Sequence, residues 1–164
     1  MLWEGRVDAF FEQLIDEHRV IRCQPQPRRW QSFSKAYNLN WQTVPFRRGG
    51  GAALPEVSGF YCFVVYSALP NLPPVYYPLY AGETENLRKR YRNYVTEKNS
   101  PTGRFHVRKF LKVFSGEAVF TFAPYATDKA GLRRIEKKLN DALMPPYSKK
   151  DYSAEVKAPK EAWQ

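Results

Sequence analysis

The stretch Leu79-Tyr80-Ala81-Gly82-Glu83-Thr84-Glu85-Asn86-Leu87-Arg88-Lys89-Arg90-Tyr91-Arg92-Asn93-Tyr94 changes from a strand-like to a helical pattern partway along, and that junction decides the fold. Its first residues end a strand. Gly82 marks a place where the backbone must turn without a β-carbon, and Thr84 is the expected N-cap of the helix that follows. At about 100° per residue, Leu87, Arg90, Tyr91 and Tyr94 share one stripe of that helix, while Arg88, Lys89, Arg92 and Asn93 point elsewhere. Arg90 thus faces inward among apolar neighbours. An arginine there either meets an internal carboxylate or lines a site that receives an anion.

Working outward, Gly59 to Tyr66 and Val75 to Ala81 are apolar, aromatic and β-branched runs joined by a loop with Pro70, Pro73 and Pro74, which predicts an antiparallel hairpin. Ser100-Pro101-Thr102 resembles a helix start; Val107, Phe110, Leu111 and Phe114 then form an inward stripe opposite Arg104, Arg108, Lys109 and Lys112. Ala118 to Ala123 gives a third strand. Thr127 or Asp128 can cap a last helix running to about Leu143, which Pro145 and Pro146 stop. The expected class is α+β, a small antiparallel three-stranded sheet flanked by helices. Toward the N-terminus, Val7, Phe10, Phe11, Leu14 and Ile15 predict an amphipathic helix over residues 4 to 19. From Val20 to Pro55, prolines and Gly49-Gly50-Gly51 punctuate a segment rich in arginine and aromatics, expected to be an extended arm with little regular structure. Its arginines suit phosphates and its aromatics suit base stacking; equally, the aromatics can clamp the arm to the domain. Residues 1–55 are therefore expected to belong to the same compact unit as a core over 56–150, with a polar tail over 151–164.

The composition narrows the partners. A chain of 164 residues suits one domain, and eleven Tyr, eleven Phe and four Trp mark it as folded. A net charge of +10 and a pI near 9.7 favour a polyanion, nucleic acid first and an anionic membrane surface second. No run approaches twenty apolar residues and Met1-Leu2-Trp3-Glu4 begins no signal peptide, so a cytoplasmic protein is expected. Cys23 and Cys62 have no zinc or disulfide-framework spacing, and Cys62 is expected in the core. With only His18 and His106, a multi-histidine metal site or a Ser-His-Asp arrangement is disfavoured. In the last helix, Glu136 falls within the stripe of Leu132, Ile135, Leu139 and Leu143. A carboxylate there must be paired, hydrogen-bonded or bound to a cation. An ion pair with Arg90 would satisfy both residues; so would a divalent metal and a phosphate between them.

Gly59-Phe60-Tyr61, Tyr80-Ala81-Gly82, the following Thr84, Asn86, Leu87 and Arg90, then Glu136 on its helix and Pro145-Pro146-Tyr147, occur in an order that resembles the GIY-YIG nuclease family over residues 59 to 148. Ser148 stands where that family often has asparagine, and the loop between the two tripeptides is long. The resemblance implies a metal-dependent endonuclease hydrolysing phosphodiester bonds in DNA, of a restriction or phage-defence type acting on double strands. Nucleases for single-stranded DNA, RNA or branched DNA, and a non-catalytic nucleic-acid-binding module on the same scaffold, are the alternatives. By resemblance, Tyr61 and Tyr80 orient or deprotonate the attacking water, Arg90 binds the scissile phosphate, Tyr94 supports it, and Glu136 holds one Mg²⁺ or Mn²⁺. Gly59, Gly82, Thr84, Asn86 and Ser148 support the site. A tyrosine base needs its pKa of about 10 lowered, by Arg90 or the metal. Arg28, Arg29, Arg47, Arg48, Arg88, Lys89 and Arg92 are the expected nucleic-acid contacts, and the protein is expected as a monomer or homodimer.

Overall fold

The computed structural model describes residues 27–67, 71, 73, 75–148 and 156. Its elements are α1 (Pro27–Tyr37), β1 (Gln42–Pro45), a 3₁₀ turn (Gly50–Ala53), β2 (Gly59–Ser67), β3 (Val75–Thr84), α2 (Leu87–Glu97), α3 (Phe105–Val113), β4 (Ala118–Pro124) and α4 (Lys129–Leu143). The class is α+β, but the sheet has four antiparallel strands rather than three, in the order β1-β4-β2-β3. The expected helix over residues 4 to 19 lies outside the described residues. So does the tail, apart from the buried Val156.

The extended arm expected over Val20 to Pro55 is not what forms over its described part. Pro27 opens α1, where a missing amide costs nothing, and Trp30, Phe33 and Tyr37 then fall at helical spacing. Phe33 is buried, with ring centroids of Trp30 and Tyr37 at 5.7 and 5.0 Å. β1 adds the fourth strand by pairing with β4 from Gln42↔Phe122 to Pro45↔Val119; its Pro45 is tolerated because β1 is an edge strand.

Alternation along β2 sorts the core into two layers. Tyr61, Phe63, Tyr80, Phe120 and Phe122 pack with Leu87, Tyr91 and Tyr94 of α2 and Val107, Phe110 and Leu111 of α3. Phe60, Cys62 and Ala81 pack on the other side with Phe33 of α1 and Leu132, Ile135, Leu139 and Ala142 of α4. β3 is the second edge. Part of its outward backbone is covered: Tyr147 N donates to Leu79 O at 2.9 Å, and Ser148 Oγ bridges both the amide and the carbonyl of Ala81 at 3.0 and 3.3 Å.

Two local corrections follow from where β3 ends. Because the strand runs to Thr84, the N-cap of α2 is Asn86, whose side chain accepts from Lys89 N at 2.8 Å; Thr84 instead uses its hydroxyl to bind both the amide and the carbonyl of Asn86. Gly82 does not turn. It lies inside the strand opposite Tyr61, and a β-carbon there would collide with the Tyr61 hydroxyl. Similarly, α3 starts at Phe105 rather than near Ser100, while Asp128 caps α4 by accepting from Gly131 N.

Candidate functional site

The hairpin β2–β3 and the helix α2 bring Tyr61, Tyr80, Arg90 and Tyr94 together. Tyr61 and Tyr94 join their hydroxyls at 2.7 Å, and the ring of Tyr61 stands 6.4 Å from that of Tyr80 and 5.7 Å from that of Tyr94. All three tyrosines are buried. The Arg90 guanidinium carbon lies 6.0 Å from the Tyr61 ring and 5.8 Å from the Tyr94 ring, at the outer limit of a cation–π contact. The expected inward stripe of α2 is therefore observed, with Leu87, Tyr91 and Tyr94 buried and Arg90 half-buried beside them.

Glu136 approaches from the other layer. It is 4% exposed, on the same face of α4 as Ile135 and Leu139, and Oε1 accepts the amide of Glu83 at 3.1 Å. The Gly82–Glu83 peptide is what links the two layers, since the Tyr61 hydroxyl rests against Gly82 and the Glu136 carboxylate binds the next amide. Consecutive Cα atoms are only about 3.8 Å apart. Arg90 and Glu136 form no ion pair, which removes the simplest reason for both being inside. Ser148 is spent on the β3 edge, so its hydroxyl supports the strand that carries Tyr80 and Gly82.

Arg104, expected on a basic outer face, reaches the cluster instead. Nη1 donates to the Tyr80 hydroxyl at 3.4 Å, and the guanidinium carbon is 5.5 Å from the Tyr94 ring. Glu97 holds it with both oxygens, Oε1 accepting from Nε at 2.8 Å and Oε2 from Nη2 at 2.9 Å. Arg108 is likewise turned inward, 8% exposed and donating to the carbonyl of Pro101 at 3.0 Å. Arg104 precedes the helix as its N-cap and so is not on the outer face, while Arg108 sits at the border of the expected inward stripe beside the buried Val107 and Leu111. The sequence signal available was Gly103, where a β-carbon would press on Glu97 and Arg108.

The electrostatics favour neutral tyrosines beside permanent cations. Burial first, then the proximity of Tyr94 and Tyr80, pushes the Tyr61 hydroxyl well above the ordinary phenol range; Arg90 pulls the other way and is outweighed. Burial also raises Tyr94. Arg90 alone therefore does not make Tyr61 a ready base. Around Arg90, burial works against the cation, but Tyr61, Tyr94 and Tyr80 favour it and leave its pKa above the usual value.

Of the expected nucleic-acid contacts, Arg28, Arg47, Arg48, Lys89 and Arg92 are exposed and Arg29 is half-buried. Arg88 is committed elsewhere: Nε donates to Leu54 O at 2.7 Å, Nη2 to Ala52 O at 3.4 Å, and Nη1 pairs with Glu56. It ties the 3₁₀ segment to α2. No described helix is long and apolar enough to cross a membrane. Among the described residues no three His, Cys, Asp or Glu gather as a metal cluster. Glu136, the expected metal ligand, is a single carboxylate. It fits Mg²⁺ in kind, because that ion binds hard oxygen and takes one or two protein carboxylates together with water and substrate phosphates. No family model matches the chain, and no curated protein or solved structure matches it significantly.

Proposed function

We propose that this chain is a metal-dependent endonuclease of the GIY-YIG type, cutting phosphodiester bonds in double-stranded DNA in a restriction or phage-defence role. The observation that carries this is Arg90. It is half-buried against two tyrosine rings and makes no ion pair with any described carboxylate, although Arg88 and Arg104 on either side of it are each paired. Arg90 feels the Glu97 carboxylate through space, but that carboxylate is held by both oxygens on Arg104, so Arg90 keeps no direct anionic partner among the described residues and an arriving phosphate would supply one. The planar fork of guanidinium donors suits two phosphate oxygens and keeps its charge at any working pH.

Around that phosphate, the residues divide the work by position. Arg90 would fix the phosphate and offset charge developing on it. The Tyr61–Tyr94 hydroxyl pair, neutral at ordinary pH, would orient the attacking water through hydrogen bonds rather than as a standing phenolate. Arg104 would hold the Tyr80 hydroxyl in place, itself held by Glu97. Glu136 would be the ligand for Mg²⁺ or Mn²⁺, which when bound supplies Lewis-acid polarisation of a phosphate oxygen.

The test is incubation of the purified protein with plasmid, single-stranded DNA and RNA, each with Mg²⁺, Mn²⁺ or EDTA. Cleavage of plasmid with metal, none in EDTA, and loss of cleavage in both Glu136→Gln and Arg90→Ala is the expected result. No cleavage of any substrate with either metal, or a Glu136→Gln protein that cuts as fast as the parent, would overturn the proposal.

A further inference from the structure

Beyond the tyrosine cluster, the flank of α2 that meets the loop after β1 forms a second feature with the same charge logic. Tyr91 is buried, and its hydroxyl accepts the amide of Arg47 at 2.9 Å while lying 2.8 Å from the carbonyl oxygens of Pro45 and Arg47. This pins the end of β1 and the loop after it. Gly50 and Gly51 then pass so close to Tyr91 that a β-carbon at Gly51 would stand 2.8 Å from the ring and one at Gly50 2.9 Å from Pro45 O; Gly49 has φ +83°. The three glycines are therefore required by geometry. They keep the loop against α2 free of side chains.

Between this loop and α2 lies a cleft of about 370 Å³ walled by Arg48 and Arg92, with Gly49, Gly51, Tyr91 and Thr96 among its lining and no carboxylate in it. Neither guanidinium has a hydrogen-bond or ion-pair partner among the described residues. Arg88, one turn before Arg92, shows what a structural arginine does here: it is bound on three nitrogens. Two exposed arginines thus line one cleft whose other lining residues include small ones and no carboxylate.

We propose that this cleft is a phosphate subsite that takes a backbone phosphodiester of bound nucleic acid, remote from the scissile bond. The inference rests on the nucleic-acid substrate proposed above, but not on turnover. Guanidinium forks match phosphate oxygens, and two exposed arginines without deeper burial suit a phosphate presented on a large polyanion. A free phosphate ion offers the same chemistry, and the experiment separates the two.

The variant Arg48→Gln/Arg92→Gln is compared with Arg133→Gln/Arg134→Gln, which removes the same charge from exposed positions on α4. Affinity for a short fluorescein-labelled DNA duplex is measured in EDTA over a range of KCl, with thermal melts to establish folding. Because each backbone contact contributes about 0.9 to the slope of log K against log salt, the cleft variant should flatten that slope by about 1.8, and the α4 variant by clearly less. Equal flattening in both, or none in the cleft variant, overturns the subsite. Calorimetric titration with inorganic phosphate is the second arm: if wild type binds phosphate, the cleft variant does not, and duplex binding is the same in both, the site takes a free anion and the proposal falls. If the slope loss is specific to the cleft but no substrate is ever cut, the subsite stands and the nuclease assignment fails. Cleavage of DNA with an unmoved slope gives the reverse.

Discussion

Gly82→Ala should be among the most damaging conservative substitutions in the sheet, and its cost can be worked from the packing. A β-carbon at Gly82 would overlap the Tyr61 hydroxyl and stand 2.6 Å from Cζ and 3.2 Å from Cε1 of that ring. Relief requires the ring to move by nearly an ångström. Tyr61 is 1% exposed and stacked on Phe120 at 5.3 Å with 13° between planes, so the ring has little room. Overpacking of this kind costs about 1–3 kcal/mol. Any retreat also pulls the hydroxyl from Tyr94, a further loss of about 0.5–1.5 kcal/mol. The sum, about 1.5–4.5 kcal/mol, should lower the melting temperature by roughly 3–18 °C in a chain this size. The assay is urea and thermal unfolding by circular dichroism, with the same substitution repeated in a Tyr61→Phe background. There the hydroxyl overlap disappears but the Cζ contact stays, so Gly82→Ala should cost less, by at least about 0.5 kcal/mol. A loss below about 0.5 kcal/mol in the parent, or an identical loss in both backgrounds, would refute the steric account of this glycine.

Tyr61 and Tyr94 both have hydroxyl pKa values raised by burial, so they hold protons in the folded protein that the unfolded chain releases above its phenol value of 10.0. Their contribution to stability is complete below that pH and drains away as pH rises toward the folded values; Tyr61→Phe should flatten this alkaline fall, and denaturation midpoints above pH 10 with equal slopes in both proteins would contradict it. For Glu97, burial alone would raise the carboxyl, but the side-chain and backbone bonds from Arg104 outweigh it and hold the pKa below 4.5. That stabilisation is present above the unfolded value and lost as pH falls through the lower folded one, so Glu97→Gln should weaken the acid dependence of unfolding; an unchanged acid limb would show the pair to be idle. Arg104→Leu should reduce cleavage without altering the DNA-binding salt slope as much as the cleft variant does, and a variant that cuts normally would remove Arg104 from the site.

The parts of the fold most legible in the sequence were those whose pattern is set by their own packing. β2, β3, β4, α2 and α4 alternate or repeat strongly enough to place Tyr61, Tyr80, Arg90 and Glu136 on their elements. α1 was hidden by context: Trp30, Phe33 and Tyr37 have helical spacing, but flanking prolines and arginines masked it as an arm. β1 could not be read from its own residues, because three of its four are exposed and its existence depends on pairing with β4. Thr84 and Asn86 are both good capping residues. Only the continuation of β3 through Thr84 decides between them. Arg104 was lost for a different reason: the helix begins after it, so its side chain is placed by the two bonds to Glu97 rather than by an outer helix face.

The position of β3 at the sheet edge ties stability and chemistry together at Glu136. On the β3 edge, backbone groups that would otherwise face outward are bound by the chain after α4, which donates to the Leu79 carbonyl and accepts the Ala81 amide, and by the Glu136 carboxylate, which accepts the Glu83 amide. The same edge carries Gly82, against which Tyr61 is seated. A carboxylate in this place is therefore an acceptor for the fold before it is a ligand for anything else, and the two duties call for different atoms. Glutamine keeps an oxygen able to accept the Glu83 amide but lacks the negative charge; alanine removes both. The amide left unsatisfied by alanine would cost about 1–3 kcal/mol, whereas the glutamine variant keeps that bond. Loss of cleavage in Glu136→Gln without loss of the β3 edge thus separates the charge from the hydrogen bond, while Glu136→Ala cannot, because it disturbs the strand that positions Tyr80 and Gly82 as well.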